Sequence, residues 1–242
     1  MNQISNTIKH LIIINVIMFV ATQMIGHRMI DLFAMHYPTN PNFRIWQPLT
    51  HMFMHGGIMH IVFNMYGLWI FGSPLEQRWG KNKFLFFYFA AGLGAVLIYT
   101  GVQYYQFTAG MQTFLNAGFD QEAVMQGIKS GSIYAPENLH ETFKQMSMVY
   151  LTPMLGASGA VYGLLAAFAI YYPFAELMLI FLPFPIKAKY FVPLLVLSDL
   201  IFGFTSQMSS PIAHLAHVGG ALIGFLIAWK WKNEQFEQNR WY

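Results

Sequence analysis

The stretch LGASGAVYG, residues 155–163, sets a serine among small residues inside a run otherwise apolar enough for lipid. A lone serine in a bilayer helix is ordinarily inert, because its hydroxyl bonds back to the i−4 carbonyl at little cost. Here the neighbours change the reading. Gly156, Ala157, Gly159 and Ala160 leave room around Ser158, and Pro153 just upstream marks a helix start. At a helix start the backbone N–H groups are unpaired and favour a developing anion. Tyr162 follows one turn later on the same face.

The rest of the chain makes lipid its main solvent. Of 242 residues, 56% are hydrophobic and 10% charged, where a soluble domain carries about 25% charged residues. Six apolar runs, residues 11–24, 58–71, 84–104, 149–172, 191–204 and 213–231, are read with their flanks as spans, since a crossing helix needs about 20 residues. The expected fold is an all-α membrane protein, a six-transmembrane-helix bundle forming one domain over residues 1–242 with no separate soluble domain. The first run lacks a small-x-small cleavage site and is kept as a helix rather than a signal peptide. Without cysteine the chain has no disulfide, thiolate metal site or cysteine nucleophile. No basic stripe suggests nucleic acid.

Lys and Arg are retained on the cytoplasmic side. With both termini inside, nine of the thirteen fall there (Lys9, Arg78, Lys81, Lys83, Lys187, Lys189, Lys230, Lys232 and Arg240), leaving Arg28, Arg44, Lys129 and Lys144 outside. That sets the connection at about residues 106–148 outside, as a long insertion between the third and fourth spans. Its segments FLNAGFDQEAVMQGIKSG and NLHETFKQMSMVY read as surface-lying amphipathic helices joined by the loop SGSIYAPE. Pro173, Pro183 and Pro185 bar a seventh helix, so LMLIFL, residues 177–182, reads as a short extended segment. TSQMSSP, residues 205–211, reads as an external loop.

Polar side chains within spans default to functional candidates. In THMFMHGGIMHIVFNMYG, residues 50–67, His60 and Asn64 share a helix face at i, i+4. His51 and His55 have the same spacing, which raises a zinc reading. No carboxylate or thiolate accompanies them, so they are read as scaffold and no metal or cofactor is assigned. In HLAHVGGALIGF, residues 214–225, His217, Gly220 and Gly224 form one stripe, with Gly220 and Gly224 a small-x3-small packing face. Ser158, Tyr162, Ala166 and Ala169 form a matching stripe on the fourth span, so the two helices are expected to pack and bring His217 to Ser158. Asp199, in the fifth span, could complete a Ser-His-Asp triad, but with its distance from His217 left open it is read as a buried or water-facing structural carboxylate.

These residues resemble the rhomboid intramembrane serine proteases. HGGIMHIVFN looks like the family's second-helix His-x3-Asn element, GASG like its Gly-x-Ser-Gly motif, and AHVGGALIG like its His-x2-Gly-x3-Gly element. GSPLEQRWG, residues 72–80, is similar to the segment after the second helix, with Glu76 and Arg78 in structural contacts. RIWQPLTHMFMH resembles the end of the family's membrane-embedded first loop, although Gln47 stands where Arg is common, a departure that touches loop anchoring rather than chemistry.

The resemblance implies a peptide hydrolase with a Ser158–His217 dyad, Ser158 as nucleophile and His217 as general base and acid. His60, Asn64 and the Ser158 N–H would stabilise the oxyanion, and Tyr162 would position the histidine, with Gly156, Gly220 and Gly224 in support. It also implies transmembrane protein substrates, a multi-pass place in the bacterial inner membrane, and a site opening to the external side through an aqueous cavity. The alternative is a non-catalytic rhomboid-like protein that binds transmembrane segments without cutting them.

Overall fold

The structure is a computed structural model that describes residues 4–132, 135–178, 184–205 and 211–238, the side chains of 204–205, 211–213 and 236–238 aside. Ten α-helices appear among these residues: α1 (Asn6–Ile25), α2 (His27–Phe33), α3 (Gln47–Thr50), α4 (Ile58–Trp79), α5 (Lys81–Asn116), α6 (Gln121–Ser130), α7 (His140–Leu151), α8 (Ser158–Tyr171), α9 (Ala188–Thr205) and α10 (Pro211–Gln238). Among the described residues, α1, α4 and α5 are long and apolar enough to cross a membrane, and α8 is a shorter apolar helix.

Helix α1 starts where the Ser5 hydroxyl accepts from the Ile8 N–H at 3.2 Å while donating to the Glu76 carboxylate on α4. Its buried stripe is Thr7, Ile8, Leu11, Asn15 and Thr22, whereas Ile13, Ile14, Ile17, Val20 and Met24 are exposed. In water that outer face would cost roughly 25 cal/mol for each Å² of apolar surface, so it calls for lipid. Below it a core of Ile8, Leu68, Leu75, Phe84, Phe87, Tyr88 and Leu164 joins α1, α4, α5 and α8. At the same end Trp79 meets Tyr171 and Trp231 edge to face, Arg78 lies 4.8 Å over the Tyr171 ring, and Lys83 lies 5.8 Å from Trp231.

The connection from α1 to α4 is anchored by Gln47, whose Nε2 donates to the Asp31 and Asn42 carbonyls at 2.9 and 2.8 Å. Its Oε1 accepts from the His36 N–H at 3.3 Å. Gln47 is fully buried, so these bonds hold the connection from inside.

Two expectations about boundaries are corrected. The apolar run 149–172 is not one helix: α7 ends at Leu151 and α8 begins at Ser158. Pro153 restricts Thr152 to extended backbone, Met154 bridges Met35 as an isolated antiparallel pair, and Gly156 adopts φ +124°. Helix α5 also runs past residue 104 to Asn116, taking the start of the expected insertion into the third helix. Its 36 residues extend about 54 Å at ~1.5 Å each, beyond the ~30 Å of hydrocarbon. The excess packs α6 and α7 into a second core of Phe114, Val124, Ile128, Leu139, Phe143 and Met146.

The extended reading of LMLIFL is met in its first residue, because β1 (Glu176–Leu177) pairs antiparallel with β2 (Ile186–Lys187). Residues 179–183 and most of the expected loop 205–211 lie outside the described residues, and Gly203 belongs to α9.

Candidate active site

Ser158 is the first residue of α8, where four backbone N–H groups lack an intrahelical partner. The turn before it is fixed by Gly156, whose N–H donates to the His51 carbonyl at 2.9 Å. At φ +124° only glycine is comfortable there. A Cβ on Gly156 would stand 2.7 Å from Nε2 of His60 and 3.7 Å from Oγ of Ser158. The missing side chain therefore lets the His60 ring lie against the loop beside the serine.

Behind His60 stands His55, with ring centroids 5.0 Å apart and edge to face. Burial pushes the His55 imidazole down to about 4, as it does that of the buried His51. Asn64, one turn along α4, donates from Nδ2 to the His60 carbonyl at 2.8 Å, which engages one of its two amide hydrogens.

His217 comes from α10, its ring stacked on Tyr162 with centroids 4.2 Å apart and planes 11° from parallel. Backbone contact between α8 and α10 makes this stacking possible. A Cβ on Gly220 would run into the carbonyl oxygen of Gly159, and one on Gly224 would stand 2.5 Å from Cα of Gly163. The packing stripe on α8 is thus Gly159 and Gly163, one residue on from the expected Ser158, Tyr162, Ala166 and Ala169. That offset leaves Ser158 and Tyr162 beside the seam, where both line a cavity. Ala91 and Ala95 of α5 close on the other side, 2.5 and 2.6 Å from where Cβ atoms on Gly163 and Gly159 would be.

One cavity of about 1270 Å³ is lined by His60, Asn64, Gly156, Ser158, Tyr162 and His217. All six site residues expected along its wall are brought together, while Gly220 and Gly224 act from the helix seam behind it. The remaining wall is mostly apolar and runs from α4 to Phe191 and Leu195 of α9.

Two residues near the site were missed or left open in the sequence. Asp199 of α9, 5% exposed, has Oδ2 3.5 Å from Nδ1 of His217, while its Oδ1 meets Nδ1 of His214 at 2.5 Å. The only sequence signal for His214 was its i, i+3 spacing from His217. His51 and His55 are not among the residues lining the cavity; Nδ1 of His51 meets the Gln47 carbonyl at 3.1 Å.

Comparison with known proteins gives the family of the chain. A family model of the rhomboid domain matches residues 42–233, most of the chain. The chain is 27% identical over 190 residues to rhomboid protease AarA of Providencia stuartii, covering 76% of this chain and 54% of that protein. It is 33% identical over 72 residues to rhomboid protease GlpG of Salmonella paratyphi A and of Salmonella typhi, 29% of this chain and 26% of each relative. It thus spans about half the length of AarA and a quarter of GlpG. The matched region carries α4, α8 and most of α10 with the whole cavity wall, and this chain is an integral membrane protein that belongs to the rhomboid family.

Proposed function

We propose that this chain is an intramembrane serine endopeptidase that hydrolyses peptide bonds within or next to transmembrane segments of membrane-protein substrates. The observation that carries the reading is the shared cavity of Ser158, His217, His60 and Asn64, with the His217 ring fixed on Tyr162.

In this reading Ser158 Oγ passes its proton to Nε2 of His217 and attacks the substrate carbonyl carbon. Negative charge on the carbonyl oxygen is met by the Ser158 N–H, the His60 ring and the free amide hydrogen of Asn64. His217 returns its proton to the leaving amine, and the peptide C–N bond breaks to leave an acyl-enzyme. Water then repeats the sequence, giving its proton to His217 and releasing the acid as Ser158 recovers its own. Asp199, beside Nδ1, favours the tautomer with hydrogen on Nδ1 and a lone pair on Nε2. The chemistry needs no cofactor.

Helix α8 has 14 residues, about 21 Å at ~1.5 Å each, against ~30 Å of hydrocarbon. With Tyr171 at the cytoplasmic face, Ser158 lies roughly 10 Å below the outer surface, reached by water through the cavity. The basic and aromatic belt of Arg78, Lys83, Trp79 and Trp231 supports that orientation, with both termini cytoplasmic in a six-helix bundle. The apolar wall between α4 and α9 suits a substrate helix entering from the side.

A fluorophosphonate probe tests the assignment. Mass spectrometry of the purified protein is expected to find the adduct on Ser158, and none in His217→Ala. An unlabelled Ser158 in folded wild-type protein would favour the non-catalytic alternative.

A further inference from the structure

The proposed reaction uses one nitrogen of His217, and the cluster on the other side of that ring has no part in bond breaking. Asp199 on α9 faces two histidines of α10, His214 and His217. Its Oδ2 and Nδ1 of His217 are 3.5 Å apart and both are buried, and the Tyr162 hydroxyl also bonds to the Asp199 carboxylate. One carboxylate oxygen and one ring nitrogen of each histidine lie within 4.8 Å of one another. That carboxylate, its side chain 8% exposed and its Oδ1 2.5 Å from Nδ1 of His214, is costly to bury unless a partner carries positive charge.

Two imidazoles and a carboxylate form a nitrogen and oxygen set suited to zinc, whose tetrahedral ligands at ~2.0–2.1 Å stand about 3.3 Å apart. The separation of 3.5 Å between His217 and Asp199 already fits that span. Stacking on Tyr162 fixes the His217 ring plane, so His214, whose side chain is 32% exposed, is the ligand left to adjust.

We propose that Asp199, His214 and His217 form an inhibitory zinc site, with water as the fourth ligand. Inhibition follows from the tautomer. Zinc takes the lone pair of Nδ1, and a neutral imidazole so bound carries its hydrogen on Nε2. Nε2 is the nitrogen that accepts the Ser158 proton in the proposed reaction, so bound zinc leaves the serine hydroxyl without a base. Coordination is reversible and changes no oxidation state, and a chelator restores the free lone pair. The inhibition rests on the proposed protease activity, whereas the binding site does not.

Two measurements keep these apart. Equilibrium dialysis of purified Ser158→Ala protein against zinc sulfate, read by elemental analysis, is expected to give one more bound zinc per chain than Ser158→Ala/His214→Ala. Equal zinc contents in the two folded proteins would overturn the site whether or not the chain is a protease. In cleavage assays zinc is expected to inhibit the wild type reversibly, and His214→Ala, at an unchanged metal-free rate, to need about tenfold more zinc or higher. The same inhibiting concentration in both would overturn the inhibitory role.

Discussion

Gly156 concentrates two constraints in one residue, a backbone at φ +124° and a Cβ position 2.7 Å from the His60 ring. Gly156→Ala is expected to push His60 off the loop and lower the cleavage rate by about 10²–10³, the usual cost of losing an oxyanion donor, with helix content by circular dichroism unchanged. Wild-type turnover in that variant would remove His60 from the proposed chemistry. Asn64→Ala is expected to lower kcat similarly while leaving KM near its wild-type value, because the contact forms only as charge develops. At this scale the sequence was informative where a residue type is costly in lipid: Ser158, His60, Asn64 and His217 all stood out. Asp199 stood out too, but its neighbour on another helix did not, because pairing across α9 and α10 depends on helix rotation that spacing within one segment does not specify.

Among the elements, the α8–α10 seam bears most on the site. Gly220→Leu would drive a side chain into the Gly159 backbone, where no rotamer change relieves the clash. It is expected to cost about 3 kcal/mol or more, lowering the unfolding midpoint in detergent by roughly 6–12 °C and abolishing cleavage. An unchanged midpoint would contradict the close approach. The small-x3-small pattern announced a tight seam on α10, but the partner stripe was misread by one residue, since small residues occupy both sides of α8. In the α1–α4 connection, His51 is 2% exposed and burial holds its imidazole at about 4, below the ordinary 6.5. Between those values the unfolded chain binds a proton that the folded chain does not, so stability falls as pH drops through the window and is level above it. Unfolding midpoints measured across pH should show this slope, reduced in His51→Gln; identical slopes in both proteins would assign it to other groups.

The whole molecule was legible as a helical membrane protein because lipid demands apolar runs of bilayer length. Less legible were the break between α7 and α8 and the length of α5. Pro153 signalled the start of α8 but not that residues 149–151 belong to a separate helix, and the C-terminal part of α5 stays helical by packing Phe114 against Phe143 and Phe119. The proposed topology predicts that reporters fused after residue 238 and inserted near Lys129 show cytoplasmic and external locations respectively; both on one side would overturn it. The most direct test of the central claim is the cleavage rate of a single-span test substrate by purified protein in liposomes, compared for wild type, Ser158→Ala and His217→Ala. The proposed chemistry predicts cleavage by the wild type and none above background by either variant, with chelators leaving the wild-type rate undiminished. Full cleavage by folded Ser158→Ala would contradict it.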